Sequence, residues 1–157
     1  MAERDPSDNE SESERNSRRL LELLQEIRVA TAGVQILFGF LLAVPFQQGF
    51  ERTSSFQRHV YLSLLVCTSL SSALLIAPTA LHRFLFRRGH KEWIIEYANR
   101  MVIWGLVFLA VAMVLAVLLL THVIFGADAA VAVTVPIAIV FAVTWFVIPF
   151  MRREDTQ

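Results

Sequence analysis

The stretch that decides the fold is RRLLELLQEIRVATAGVQILFGFLLAVPF, which runs from Arg18 to Phe46. In its first part, apolar side chains recur at helical spacing on one face, and charged side chains occupy the other. Residues 29–46 carry no charge, and these 18 residues would rise about 27 Å as a helix, the thickness of a hydrocarbon core. The stretch therefore predicts one helix that begins in water and continues across a bilayer.

Three further apolar runs follow the first one. The chain is 55% hydrophobic, and its charges lie between the runs rather than along them. These runs are apolar on all sides, whereas a surface helix of a soluble protein is apolar on one face only. We therefore predict an all-α polytopic membrane protein, with four transmembrane helices in an up-down bundle and cytoplasmic amphipathic extensions of helices 1 and 3. The predicted spans are residues 29–46, 61–81, 101–125 and 130–150.

Both ends of the chain are polar. Residues 1–17 hold six acidic residues and two arginines, with no apolar residue larger than Met1, so they cannot bury enough surface to fold. We predict a disordered acidic cytoplasmic tail over residues 1–17 and a four-helix transmembrane domain over residues 18–153. A short C-terminal tail follows over residues 154–157.

The distribution of basic residues predicts the orientation. Four spans place both termini on one side of the membrane, and that side carries twelve of the 14 Lys and Arg residues. The opposite side has only Arg52 and Arg58. Because cytoplasmic loops carry the excess of basic residues, we predict that the N- and C-termini are both cytoplasmic.

Composition argues against several classes of function. A net charge of zero gives no basic footprint for nucleic acid. The single cysteine, Cys67, cannot form an internal disulfide or a cysteine-based zinc site. The predicted spans hold no Asp, Glu, Lys or Arg, the residues that mark transport or catalytic sites inside a membrane. We therefore expect no enzyme activity, with no catalytic, cofactor-binding or metal-binding residue and no cofactor.

The first span carries the main candidate for a function beyond crossing the membrane. Thr31, Gln35 and Gly39 recur at every fourth residue, and Glu26 and Arg28 lie where the helix enters the bilayer. We call these five residues the polar face. Small and polar residues at this spacing allow helices to approach closely in lipid. We predict that the polar face is turned toward the rest of the bundle, where Gln35 bonds to another helix or, as the alternative, lines a pore.

The second span also carries small polar residues at helical spacing. Ser63, Cys67 and Ser71 are four residues apart, as are Thr68 and Ser72. Hydroxyl groups can bond to the backbone of their own helix, which makes them tolerable in lipid. We predict a second packing face here.

A polar group is predicted at the outer face, from His122 near the end of the third span and Asp128 in the turn that follows. Together with Glu51 and His59 these residues are of metal-binding types. No pair, however, has the spacing of metal ligands on one helix. The pattern therefore favours an interfacial position for His122 over a metal or proton site.

Two segments of the chain carry a resemblance: LLQEIRVATAGVQILFGFLLAVPF at residues 23–46 and APTALHRFLFRRGHK at residues 77–91. With the two spans that follow, the chain resembles a family of small uncharacterised four-helix membrane proteins, found mostly in actinobacteria and described as a domain of unknown function. The resemblance covers residues 18–153, and it implies a bacterial inner membrane and no established activity. Its pattern consists of Glu26, Arg28, Gly33, Gln35 and Pro45, then Ala77, Pro78, His82 and Arg83.

Packing faces without catalytic residues favour a structural or interaction protein. Such a bundle would self-associate as a homo-oligomer or dock another membrane protein, with the lipid bilayer as its constant partner. The first alternative is a small transporter or channel for an ion or small solute, with a path along Thr31, Gln35, Ser63 and Ser71 and with His122 as a further candidate. A weaker alternative is a cytoplasmic-face lipid or stress sensor built on the two amphipathic segments.

Overall fold

The structure, a computed structural model, describes residues 12–85 and 91–147. These residues form four long helices, and the described ranges contain no strand. Two short 3₁₀ turns lie between the first and second helices, and a π-helical turn extends the fourth. The helices are α1 (Glu12–Ala43), α2 (Ser55–Leu85), α3 (Lys91–Phe125) and α4 (Ala127–Ala142), with the 3₁₀ turns at Val44–Phe46 and Phe50–Arg52 and the π turn at Val143–Val147.

Each helix contains a stretch that is long and apolar enough to cross a membrane. This confirms the predicted class, an all-α protein with four membrane-spanning helices. The membrane-spanning stretches are Arg28–Phe46, Ser55–Ala80, Tyr97–Phe125 and Ala127–Trp145.

The first residues of α1 and of α2 lie before the apolar runs predicted for these helices. α1 begins at Glu12, within the predicted tail, since Glu and Arg are good helix formers and acidic residues suit a helix N-terminus. α2 begins at Ser55, where Ser54 and Gln57 form a capping box: the Gln57 amide N–H donates to Ser54 Oγ at 3.3 Å, and the Ser54 N–H donates to Gln57 Oε1 at 2.9 Å. The predicted C-terminal tail and residues 1–11 lie outside the described residues.

The helices form an open row in chain order. α2 packs along α3, α3 packs against α4, and α1 leans on α2 and touches α3. Within the described residues, α4 contacts neither α1 nor α2. The predicted bundle is therefore not closed, and α1 and α4 form its two edges.

The contact between α2 and α3 is the centre of the molecule. Buried residues of α2 are alternately three and four positions apart, as in a coiled coil, and the buried residues that face them on α3 are small. The two helices approach closely at Gly105, since a Cβ there would lie 2.9 Å from Cγ and Cδ2 of Leu75. The repeating positions are Tyr61, Leu64, Thr68, Ser71, Leu75 and Pro78 on α2, and Ala98, Gly105 and Ala112 on α3.

Two apolar clusters join α1 to this pair of helices. One contains Leu41, Tyr61, Leu64 and Ala112, and the other is centred on Val34 and Leu75. Residue numbers increase along α1 as they decrease along α2, so the two helices are antiparallel. The same holds for α2 and α3, so these two helices are antiparallel as well.

A hydrogen bond fixes the end of α1. Pro45 has no N–H and cannot donate to the carbonyl of Leu41, four residues before it. The hydroxyl of Tyr61 donates to that carbonyl instead, at 2.8 Å. Phe50 packs edge-on against the ring of Tyr61, with centroids 5.3 Å apart. The proline that ends α1 thus creates the acceptor that binds it to α2.

A single residue separates α3 from α4. Gly126 has a φ of +89°, in the region that favours glycine, and helical residues lie on both sides of it. A very short turn is predicted at residues 126–128, and the observed connection is shorter still.

α4 buries two residues, Ala130 and Thr134. The hydroxyl of Thr134 has no hydrogen-bond partner among the described atoms.

Candidate functional site

α1 meets the rest of the chain through an apolar face. Val34 is fully buried and Leu41 is 6% exposed, and Ala30 and Leu37 are partly buried against the two clusters. These four residues are four, three and four positions apart, which matches the repeat of the buried residues on α2. The contact with α2 and α3 therefore uses this face of α1.

The polar face points away from that contact. Arg28, Gln35 and Gly39 are exposed, and Thr31 is half-buried. Glu26 lies in α1, with its side chain outside the described residues. The expectation that the polar face is turned toward the rest of the chain is therefore wrong for the described residues.

The physical reason for this error is the composition of the span. Val34 and Gln35 are adjacent and so lie about 100° apart around the helix. In water, a contrast between polar and apolar faces reveals which side is buried, but nearly every face of a transmembrane helix is apolar. Large side chains at Val34, Leu37 and Leu41 fill the surface beside α2, and small residues on the neighbouring face are left outside.

Gln35 and Gly39 form an open surface on α1. The Gln35 amide has no hydrogen-bond partner among the described residues. A Cβ added at Gly39 would meet nothing within 4 Å. Gln35 lies seven residues beyond Arg28, about 10 Å along the helix axis, which places the amide inside the hydrocarbon layer if Arg28 lies at the membrane surface.

The predicted packing face of the second span is found in part. Ser71 is fully buried, and its hydroxyl donates to the carbonyl of Gly105 across the α2–α3 contact, at 2.8 Å. Thr68 is also fully buried, and its hydroxyl donates to the Leu64 carbonyl of its own helix, at 2.8 Å. Ser63 is exposed. Ser71 therefore contributes to the contact between the two helices, and Ser63 does not.

His122 is held by the first turn of α2. Its ring packs on Phe56 with centroids 4.9 Å apart, and its Nδ1 is 3.3 Å from Nε2 of Gln57. Asp128 is exposed in the first turn of α4, where a negative charge is favoured by the helix dipole. The contacts of His122 given by the described residues are with α2, and they do not include Asp128.

The other outer-face residues have local roles. Arg58 donates from Nε to Thr53 Oγ1 at 3.2 Å and from Nη2 to the Glu51 carbonyl at 3.1 Å. His59 Nδ1 lies 2.7 Å from the carbonyl oxygen of Ser55. The part of the chain that the structure describes contains no group of three His, Cys, Asp or Glu residues that could hold a metal ion.

Sequence reasoning missed two residues that matter to this geometry. Gln57 both caps α2 and reaches His122, and the Ser-x-x-Gln pattern at residues 54–57 was the available signal. The second is Tyr61, for which the sequence analysis predicts no role beyond the start of the second span. A proline near the end of one span and a tyrosine at the start of the next were its signal.

Most of the chain matches one known protein family. The model of a family described as "Family of unknown function (DUF6328)" matches residues 9–149. The chain belongs to this family. No curated protein and no solved structure matches the chain. Membership of DUF6328 confirms the resemblance to an uncharacterised family and adds no activity to the geometry described above.

Proposed function

We propose that this DUF6328 protein is a structural or interaction protein of the membrane, which self-associates or docks another membrane protein through the polar face of α1. The observation that carries the proposal is the exposed amide of Gln35, which lies in a span whose residues 29–46 carry no charge. A polar group in hydrocarbon is unfavourable without a hydrogen bond. A neighbouring helix that supplies this bond is therefore stabilised at this position.

The arrangement of the helices supports the same proposal. α1 is at the edge of the open row, so the side that carries Gln35 and Gly39 is not covered by the described part of the chain. Gly39 lies one helical turn beyond Gln35, and a glycine allows a second helix to come close. The Gln35 amide and the glycine that lets a partner helix approach it therefore lie on the same surface of α1.

The two alternatives have less support. A transport path along α2 would need Ser71, whose hydroxyl is bonded to Gly105 within a tight helix contact. Gln35, which also belongs to that path, is turned away from α2. The lipid or stress sensor depends on side chains of the two amphipathic segments, most of which lie outside the described residues.

The membrane and the orientation are part of the proposal. The resemblance to proteins of bacterial inner membranes supports that location. The twelve Lys and Arg residues on the side of the termini support cytoplasmic N- and C-termini. The proposal includes no enzymatic step.

Adding bulk to the polar face tests the function. We expect the tagged chain, expressed at its natural level and extracted in mild detergent, to have a protein mass above the 17.8 kDa of one chain by light scattering. Gly39→Leu should lower this mass to that of one chain, because the side chain blocks the approach of a partner helix.

Gly33→Leu is the matched control for this experiment. Gly33 is also exposed on α1 with nothing within 4 Å of an added Cβ, but it lies about 120° from Gly39 around the helix. This variant should keep the wild-type mass. A wild-type mass of one chain, or equal effects of the two variants, would reject docking on the polar face.

A further inference from the structure

The Gln35 amide determines what kind of partner can cover it. The amide has two N–H donors and a carbonyl acceptor. A suitable partner must offer both a donor and an acceptor at the same depth in the bilayer. A purely apolar helix would cover the surface and leave the amide without hydrogen bonds.

The other edge of the row does not meet this condition. Between Val131 and Val143, the exposed side chains of α4 are all apolar. Thr144 is the next exposed polar residue, and its hydroxyl donates to the Val140 carbonyl at 2.7 Å. Thr144 also lies at the end of its span, whereas Gln35 lies seven residues inside its own. Contacts between α1 of one chain and α4 of another would therefore leave the amide unpaired.

A second copy of α1 meets the condition without further assumptions. Two copies inserted with the same topology carry Gln35 at the same depth. A primary amide is complementary to itself, since the N–H of each can donate to the carbonyl of the other. A two-fold axis beside α1 brings like residues together, which is the usual symmetry of a homodimer.

Gly39 and Arg28 fit the geometry of such a pair. Helices that meet at glycine cross at about 40°. Arg28 lies eleven residues before Gly39, about 16 Å along the axis. At that distance helices that cross at Gly39 have diverged by about 11 Å, so the two guanidinium groups remain apart at the membrane surface.

We infer that the partner on the polar face is a second copy of this chain, in a parallel pair with two-fold symmetry. The two α1 helices cross at Gly39, and their Gln35 amides bond to each other. This inference rests on the proposed function, since it names the partner of the same surface.

Disulfide trapping in membranes tests the pair directly. The protein carries Cys67→Ala so that the native thiol does not react, and two differently tagged copies are expressed together. We expect Gly39→Cys to form a disulfide-linked dimer that carries both tags when copper phenanthroline is added, because the two positions meet at the crossing. Gly33→Cys, on another exposed side of α1, should remain monomeric.

Removal of the amide tests the hydrogen bond. Gln35→Leu should weaken pairing of the two tagged chains roughly three- to tenfold, the usual effect of one bond between membrane helices. Ile36→Leu is the control, because it changes an exposed apolar residue next to Gln35 without changing polarity. Equal pairing in both variants would overturn the role of the amide.

The outcomes separate this inference from the proposed function. If Gly39→Leu dissociates a larger complex but Gly39→Cys links the chain only to a different polypeptide, the second copy is rejected and docking stands. If Gly39→Cys and Gly33→Cys crosslink equally, the specific pair is rejected. If no complex exceeds the mass of one chain, both proposals fail.

Discussion

At the scale of single residues, the contact between Tyr61 and Leu41 shows how a chain compensates for a proline in a membrane. A backbone carbonyl without a donor is costly in hydrocarbon, where water cannot replace the lost bond. Pro45 creates such a carbonyl at Leu41, and the hydroxyl of Tyr61 supplies the donor from a different helix. The break in α1 and its attachment to α2 therefore have the same cause.

Tyr61→Phe is expected to destabilise the protein by about 1–3 kcal/mol, because it leaves the buried Leu41 carbonyl without its donor. Unfolding in mixed micelles by increasing SDS measures this change. In a Pro45→Ala background, residue 45 regains an N–H that can bond to Leu41, so Tyr61→Phe should cost less. Equal losses in both backgrounds would contradict the compensation.

At the scale of helices, the α2–α3 contact depends on small residues in the middle of long apolar stretches. Ser71 bonds to the carbonyl of Gly105, and Leu75 occupies the space that a Cβ of residue 105 would need. The close approach of the two backbones therefore follows from a glycine on one helix and a serine on the other. This is the means of association available in lipid, where apolar side chains gain little by leaving their surroundings.

Gly105→Ala is expected to destabilise the protein by about 1–3 kcal/mol, because the new methyl group forces Leu75 or the whole of α3 to move. Gly33→Ala, where an added Cβ meets nothing within 4 Å, should be neutral or stabilising by up to about 1 kcal/mol through helix propensity. Both are measured by SDS-induced unfolding. A Gly105→Ala variant as stable as its control would refute the tight contact.

Sequence alone predicted the helices well because hydrocarbon thickness imposes a length and an apolar composition on each span. It predicted their faces poorly. Thr68 and Ser71 are buried as expected, yet Gln35 and Gly39 face outward. Spacing identifies residues that share a face, but it does not say which of several apolar faces meets the neighbour, since that depends on side-chain shape.

At the scale of the molecule, the open row leaves α1 and α4 with large exposed apolar surfaces. Phe40 on α1 and Ile139 on α4 are 70% and 57% exposed. Lipid can cover such surfaces at no cost, so an open row is stable in a bilayer where it would aggregate in water. The arrangement also keeps the surface around Gln35 accessible to a partner.

The proposed orientation predicts which residues react from outside the cell. In a Cys67→Ala background, a cysteine at Gln48 or Asp128 should react with a membrane-impermeant maleimide in intact cells. A cysteine at Gln25 should react only after the membrane is opened. All three positions are exposed in the structure. The reverse pattern would show that the termini lie outside and would overturn the orientation.

The single-residue connection at Gly126 has a consequence for biosynthesis. A loop that crosses the membrane during insertion must be desolvated, and this cost increases with the number of polar groups in the loop. Between α3 and α4 no loop exists, and Asp128 is the one carboxylate near the turn. In the proposed orientation we therefore expect the two helices to insert together as a hairpin, with Asp128 as the one carboxylate that crosses the membrane.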